Sequence, residues 1–391
     1  MTARPTILII CDYYLPGFES GGAVRTLANM VERLGYRFDF RIITRDHDGS
    51  AVLTSYSTVR IDEWNQVGNA HVYYLSKDQI RAQKLKRLIV EVNPDAVYLN
   101  SFFARLTILF LVLLKFRRIA KKPVVMAPEG EFSLGALSLR ASKKRAYIAA
   151  AKAILLSSNF TWKAASESEK TEIINVLGNK LDIHVAPNMP PRMIFPDFDQ
   201  SEKPQKKSGS ARMIFLSRFM RKKNFNWLLE HLGPIDGQIE FDIYGTLEED
   251  DYWAECQRLA SKLPTNIKIV SKGPIAHEKV SETLAKYDFF ILPTLGENFG
   301  HVFIEAFASG LPVITSDRTP WRDLTRKGIG WDIPLENPTE WTRVIGRCVA
   351  MDDSEYQRMS RNARSFAVDW LSDPEIERTN IGVLSKALGQ N

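Results

Sequence analysis

The sequence predicts an α/β protein of two doubly wound domains. Two observations carry this expectation. Short β-branched runs alternate with helix-length amphipathic stretches along both halves of the chain, and the rhythm breaks once, at a polar segment near the middle. At 391 residues there is room for two or three domains of about 150 residues each. A hydrophobic fraction of 45% lets each domain bury a core and excludes wholesale disorder.

In the first half the candidate strands are Thr6–Cys11, Phe38–Thr44, His71–Leu75, Ala96–Leu99, Val124–Met126, Phe160–Ala165 and Asp182–Val185. Between them the apolar spacing predicts helices over Ala23–Leu34, Ile80–Val92, Ala104–Ile119, Lys143–Leu156 and Glu167–Leu177. Residues 191–211 read as a linker: Pro190, Pro191 and Pro196 are followed by Gln200–Ser210, polar and without a large apolar side chain. The second half restarts the pattern with strands Arg212–Ser217, Glu240–Tyr244, Ile267–Ser271, Phe289–Leu292 and Pro312–Thr315. Its helices fall at Phe225–Leu232, Asp251–Leu263, His277–Tyr287, Val302–Ser309, Pro338–Met351 and Ser354–Trp370. The expected domains are therefore 1–190 and 212–372, with a last helix of about 373–391 packing back on the first. Two such sheets facing one another would put their strand C-termini around a shared cleft, where open α/β folds bind ligands.

Composition narrows the function classes. Cys11, Cys256 and Cys348 are odd in number, far apart and in no metal-like spacing, which argues for a reducing compartment and against a disulfide framework. The opening apolar run is interrupted by Asp12, too early for a secretory signal. Leu106–Leu114, the longest uncharged apolar run, is half of the ~20 residues a membrane span needs. The expectation is a cytoplasmic protein, soluble or peripheral on the inner face of the membrane. Net charge is +6, and the basic excess falls in the first 200 residues. It clusters at Arg81, Lys84, Lys86 and Arg87, at Lys115, Arg117, Arg118, Lys121 and Lys122, and at Arg140, Lys143, Lys144 and Arg145. Solvated helix faces are the plain reading; an anionic membrane or anionic acceptor is the sharper one. Nucleic acid is not expected, because no zinc spacing or RNA-binding signature accompanies the charge.

Three segments carry candidate chemistry. Gly296-Glu297-Asn298-Phe299-Gly300 follows the apolar strand FFILP, and Glu305 lies eight residues beyond Glu297 in an apolar helix. A carboxylate in such surroundings needs a partner, and a ligand's hydroxyls would supply one. Ser217–Phe225 follows the strand MIFLS with Arg218 and Lys223 five residues apart, a strand-to-helix loop able to aim a fork-shaped donor and a point charge at one phosphate group. Gly21-Gly22 follows the first strand, where the chain turns tightly into a helix whose N-terminus favours negative charge. It is not the G-x-G-x-x-G dinucleotide fingerprint. Each segment also has a plain reading, as helix-terminal charge, surface base or simple turn.

Together these residues resemble the GT-B glycosyltransferases, two Rossmann-like domains about a cleft, and within them the large retaining family (family 4, group 1) with an E-x7-E motif. That motif reads here as Glu297…Glu305, the family's R-x4-K motif as Arg218…Lys223, and its Gly-Gly loop as Gly21-Gly22. The resemblance implies that Arg218 and Lys223 hold a donor diphosphate. It implies that Glu297 with the backbone of Asn298, Phe299 and Gly300 holds the transferred sugar, that Glu305 takes the ribose diol, and that Gly273-Pro274-Ile275 lies beside the base. Many members carry a His on the N-domain segment facing the sugar; here the segment is Met126–Ser133, and Glu129 and Glu131 are its candidates for facing sugar or acceptor.

The implied reaction is retaining transfer from a nucleotide-diphosphate sugar, a UDP-sugar before GDP-mannose, to a glycan or lipid-linked acceptor in cell-surface polysaccharide or glycolipid synthesis. No metal and no cofactor are expected. Two alternatives stand beside it: a nucleotide-sugar epimerase of the same fold, and a catalytically silent sugar-binding scaffold.

Overall fold

The computed structural model describes residues 4–17, 21–48, 54–138, 141–155, 160–192, 205–233 and 235–390. The chain divides into two compact units, Met1–Arg192 with Pro374–Asn391, and Met193–Asp373.

The first unit is built on an eight-stranded sheet of β1 (Thr6–Ile10), β2 (Asp39–Arg45), β3 (Trp64–Val67), β4 (Ala70–Leu75), β5 (Ala96–Asn100), β6 (Val124–Ala127), β7 (Phe160–Ala164) and β8 (Asp182–Val185), in the order β3-β4-β2-β1-β5-β6-β7-β8. All neighbours run parallel except β3, which pairs antiparallel with β4. The central strands are buried on both faces, as the run TILII requires. Its helices are α1 (Gly22–Leu34), α2 (Ala82–Val92), α3 (Arg105–Lys115), α4 (Leu134–Ser138), α5 (Ala141–Leu155) and α6 (Glu167–Leu177).

The second unit has six parallel strands, β9 (Ser210–Leu216), β10 (Gln238–Tyr244), β11 (Ile267–Gly273), β12 (Phe289–Leu292), β13 (Val313–Ser316) and β14 (Gly330–Ile333), in the order β11-β10-β9-β12-β13-β14. Around them lie α7 (Phe225–His231), α8 (Asp250–Ala260), α9 (Val280–Leu284), α10 (His301–Ala308), α11 (Leu324–Lys327), α12 (Pro338–Ala350) and α13 (Asp353–Ser372). The chain then returns to the first unit as α14 (Pro374–Ala387), packed against β6, β7 and α1. Asn380 there donates to the Pro187 carbonyl (2.8 Å), and Glu377 takes Arg33 (3.3 Å) and Tyr36 (2.8 Å).

Several expectations are corrected. β3 and β14 were not anticipated: WNQV is half-exposed and lacks an apolar alternation, and GWDI opens on a glycine. The helix expected over Ala104–Ile119 stops at Lys115, because Arg117 adopts φ 52° and the Arg118 amide turns back to the Leu113 carbonyl (2.8 Å). The helix expected over His277–Tyr287 is a 3-10 turn, His277–Lys279, and the short α9. Of the expected linker, 193–204 lie outside the described residues, and its end belongs to the second unit. There β9 begins at Ser210, and the Lys206 ammonium is buried on the carbonyls of Lys207 (2.9 Å), Ser210 (2.5 Å) and Met351 (3.1 Å).

Candidate functional site

The densest set of sequence-predicted residues stands at the C-terminal ends of β9 and β12, adjacent in the second sheet. Leaving β9, the chain passes Arg218 and enters a 3-10 turn, Arg221–Lys223, that leads through Asn224 (φ 61°) into α7. Arg221 pins this turn to α8 through Asp251 (2.8 Å) and Glu255 (2.8 Å). Leaving β12, the chain runs through Pro293–Gly300 into α10. The two loops are laced together: the Leu295 amide donates to the Lys222 carbonyl (2.9 Å), and the Thr294 hydroxyl to the same oxygen (3.2 Å).

This lacing brings Lys223 and Glu297 into a direct ion pair, with side chains only 11% and 12% exposed. Burial alone would raise the Glu297 carboxyl. The charges of Lys223 and Lys222 outweigh it and, with hydrogen bonds from Lys223 and Thr294, hold the group below its ordinary value, so it is a carboxylate at neutral pH. The Glu297 amide is fixed on the Arg318 carbonyl (3.0 Å).

Arg218 is not part of that pair. Its Nη1 donates to Glu248 Oε1 at 3.1 Å, on the loop between β10 and α8. Glu305 lies on the buried apolar α10, itself buried. Gly300 caps α10 at φ 73°; a Cβ there would meet the Phe303 ring at 2.6 Å. Phe299 is buried, its carbonyl accepting the Trp321 indole N–H (2.6 Å) and its ring against Trp321 and Trp370. Asn298 stands beside it, half-buried. Gly273 ends β11 at φ 75°, its carbonyl taking the Gly245 amide (3.0 Å); Pro274 is exposed and Ile275 packs on the core.

The remaining candidates are in the first unit. Gly21 precedes α1 at φ 60°, ψ −125°, a conformation suited to glycine, and Gly22 is the first residue of the helix. Residues 18–20 of that loop lie outside the described residues. The two acids of the Met126–Ser133 segment differ. Glu131 accepts from the Ser101 hydroxyl and the Phe102 and Phe103 amides, closing the loop between β5 and α3. Burial pushes its carboxyl up to about 7, against those bonds. Glu129 adopts φ 54° and accepts from Asn188 (2.9 Å), whose oxygen takes the buried Lys163 ammonium (2.7 Å).

Residues 197–366 match the family model described as glycosyl transferases group 1. This part of the chain is similar to the group 1 glycosyltransferases. Among curated proteins the chain is similar to the GtfA subunit of a UDP-N-acetylglucosamine–peptide N-acetylglucosaminyltransferase from Streptococcus parasanguinis, 28% identical over 144 residues, 36% of this chain and 24% of that protein. It is also similar to a D-inositol 3-phosphate glycosyltransferase from Xylanimonas cellulosilytica, 22% identical over 220 residues, 52% of this chain and 51% of that protein. The matches thus span a quarter to a half of those relatives' length. Among solved structures, Anabaena Alr3699/HepE in complex with UDP and glucose superposes with a TM-score of 0.71 at 17% identity, covering 98% of this chain and 100% of that one. The two units therefore carry the GT-B fold.

In the second unit, Glu248, Thr294 and Trp321 hold the candidate residues in place, and sequence reading missed all three. Glu248 and Trp321 act from 30 and 22 residues away in sequence, and Thr294 makes its bond to Lys222 across 72. No local spacing signals such contacts.

Proposed function

We propose that the protein is a retaining glycosyltransferase that moves a sugar from a nucleotide-diphosphate sugar, a UDP-sugar before GDP-mannose, to a glycan or lipid-linked acceptor of a cell-surface polysaccharide or glycolipid. The observation that carries the reading is the buried Lys223–Glu297 pair where two adjacent parallel strands end, the place where open α/β sheets bind ligands. The donor named in the streptococcal relative's description, UDP-N-acetylglucosamine, favours the uridine base.

As the anomeric bond breaks, negative charge grows on the departing diphosphate. Arg218, Lys223 and the amides opening α10 are fixed donors that would meet it without reorganisation. Glu297, ionised and held by Thr294, would take hydroxyls of the sugar; Glu305 would take the ribose diol, and Gly273-Pro274-Ile275 would flank the base. In the first unit Glu129 is the better acceptor-facing acid, since the Glu131 oxygens are spent on Ser101, Phe102 and Phe103. Losing one preorganised donor costs ~10²–10³ in rate, so Arg218→Ala and Lys223→Ala are each expected to lose transfer by that factor while the far-ultraviolet circular dichroism is kept. Turnover with candidate nucleotide sugars and lipid-linked acceptors measures it, and wild-type rates in both variants would overturn the reading.

A peripheral membrane contact is part of the same proposal. Among the described residues no helix is long and apolar enough to cross a membrane. On α2 and at the end of α3, Val90 (63% exposed) and Phe116 (64%) stand among exposed Lys86, Arg87, Lys115, Arg117 and Arg118, apolar anchors ringed by cations. Sedimentation with anionic liposomes at low salt, weakened by high salt and by Phe116→Asp, is the expected result; no sedimentation at low salt would remove this part.

A further inference from the structure

Both cations that the proposed diphosphate site would offer already have carboxylate partners, Lys223 with Glu297 and Arg218 with Glu248. An anion that engages both must compete with at least one of these carboxylates. The two pairs differ in how readily they yield. Lys223 and Glu297 are nearly nine-tenths buried, and parting them would strand a charge away from water. Arg218 and Glu248 are 41% and 30% exposed and meet through one oxygen, so their mutual attraction is weak and a released Glu248 carboxylate finds water.

Glu248 is also delivered to Arg218 by the backbone. The Phe219 amide donates to the Thr246 carbonyl (2.8 Å), the Glu248 amide donates to the Phe219 carbonyl (3.2 Å), and Phe219 bridges Leu247 in parallel pairing. The loop after β9 and the loop after β10 are zipped at Phe219 and Leu247, one residue past Arg218 and one before Glu248. The side chain can swing while its backbone stays, and Arg218 keeps its place as the partner changes.

We propose that Glu248 is an exchangeable counterion, holding Arg218 until the diphosphate of the donor takes its place, so that its charge sets how tightly the nucleotide binds. The inference rests on the assignment of Arg218 to the diphosphate. It makes Glu248 a positioning residue whose negative charge lowers donor affinity and eases release of the nucleoside diphosphate product.

Binding of UDP, with GDP and ADP as alternative bases, is measured by titration calorimetry on the full chain as wild type, Glu248→Gln and Arg218→Ala. Glutamine keeps the size and an acceptor oxygen but not the charge. The expected result is that Glu248→Gln binds the preferred nucleotide about threefold to fivefold more tightly, the scale of one exposed ion pair, while Arg218→Ala binds it about tenfold or more weakly. If Arg218→Ala weakens binding but Glu248→Gln leaves it unchanged or weaker, the counterion proposal falls and the diphosphate assignment stands. If Arg218→Ala binds as wild type, or none of the three nucleotides binds, the assignment itself falls and takes the proposal with it. Equal thermal unfolding temperatures of wild type and Glu248→Gln without nucleotide exclude a folding defect as the source of any difference.

Discussion

Glu297 and Glu131 are both buried acids, and their surroundings send them in opposite directions. Glu297 is held down by Lys223 and Lys222, so ionisation stabilises the folded second unit. That stability is present above the unfolded carboxyl's 4.5 and is lost as pH falls through the lower folded value. Glu131 is raised from 4.5 to about 7 by burial. Its folded form keeps a proton that the unfolded chain has given up, so stability is lost as pH rises from 4.5 through about 7. Glu169, also raised to about 7 by burial and the nearby Glu129 charge, adds to the same trend. Thermal unfolding between pH 5 and 7.5 is therefore expected to show a smaller decline in Glu131→Gln than in wild type, and unfolding below pH 4.5 a smaller acid loss in Glu297→Gln. Identical slopes in variant and wild type would refute either assignment. Residues 218, 223, 297 and 305 stood out in the sequence as charges on loops and a helix next to apolar strands, and their pairing into motifs came from the family resemblance. The separation of Glu129 from Glu131 was not, because it depends on where the loop after β5 places three donors.

Among the elements, α10 shows most directly how sequence becomes geometry. It is short and apolar, and it begins only because Gly300 turns left-handed ahead of it. Gly300→Ala is expected to cost about 1–2 kcal/mol for the left-handed backbone, with a further loss from the contact with Phe303. It should lower the unfolding temperature and raise the donor KM together; an unchanged unfolding temperature would count against it. Trp321→Phe keeps a ring against Phe299 but drops the indole bond to its carbonyl, worth about 1 kcal/mol, and leaves a void in the core, so it should raise the donor KM and lower the unfolding temperature as well. An unchanged KM would show that the bond does not aim the Asn298–Gly300 backbone. The interior strands were readable because they are continuous apolar runs, as in TILII and FFIL, or alternate apolar with polar residues, as in QIEFDIY. The short edge strands β3 and β14 were not: Trp64–Val67 earns its place through antiparallel pairing with β4, and Gly330–Ile333 through pairing with β13.

For the whole molecule, the division into units follows the sequence rhythm, but its boundary does not follow composition. Lys206 sits in the polar stretch that reads as a linker, yet its ammonium is a buried clasp on carbonyls of β9 and the end of α12. A lysine in a polar run looks solvated until a ring of carbonyls is known to surround it. The return of the chain as α14 has the larger effect. Ile376, Val383 and Leu384 are buried there, so removing residues 374–391 is expected to destabilise the first unit by about 5 kcal/mol or more at ~1.5–3 kcal/mol per side chain. The second unit should keep its own unfolding transition. Urea unfolding of the truncated chain measures both, and an unchanged first transition would refute the role given to α14. For the nascent chain this means that the β6–β7 face stays uncovered through the synthesis of the entire second unit. The first sheet matures only after its neighbour has been translated, and a synthetic peptide of residues 374–391, added in trans, should restore the truncated protein.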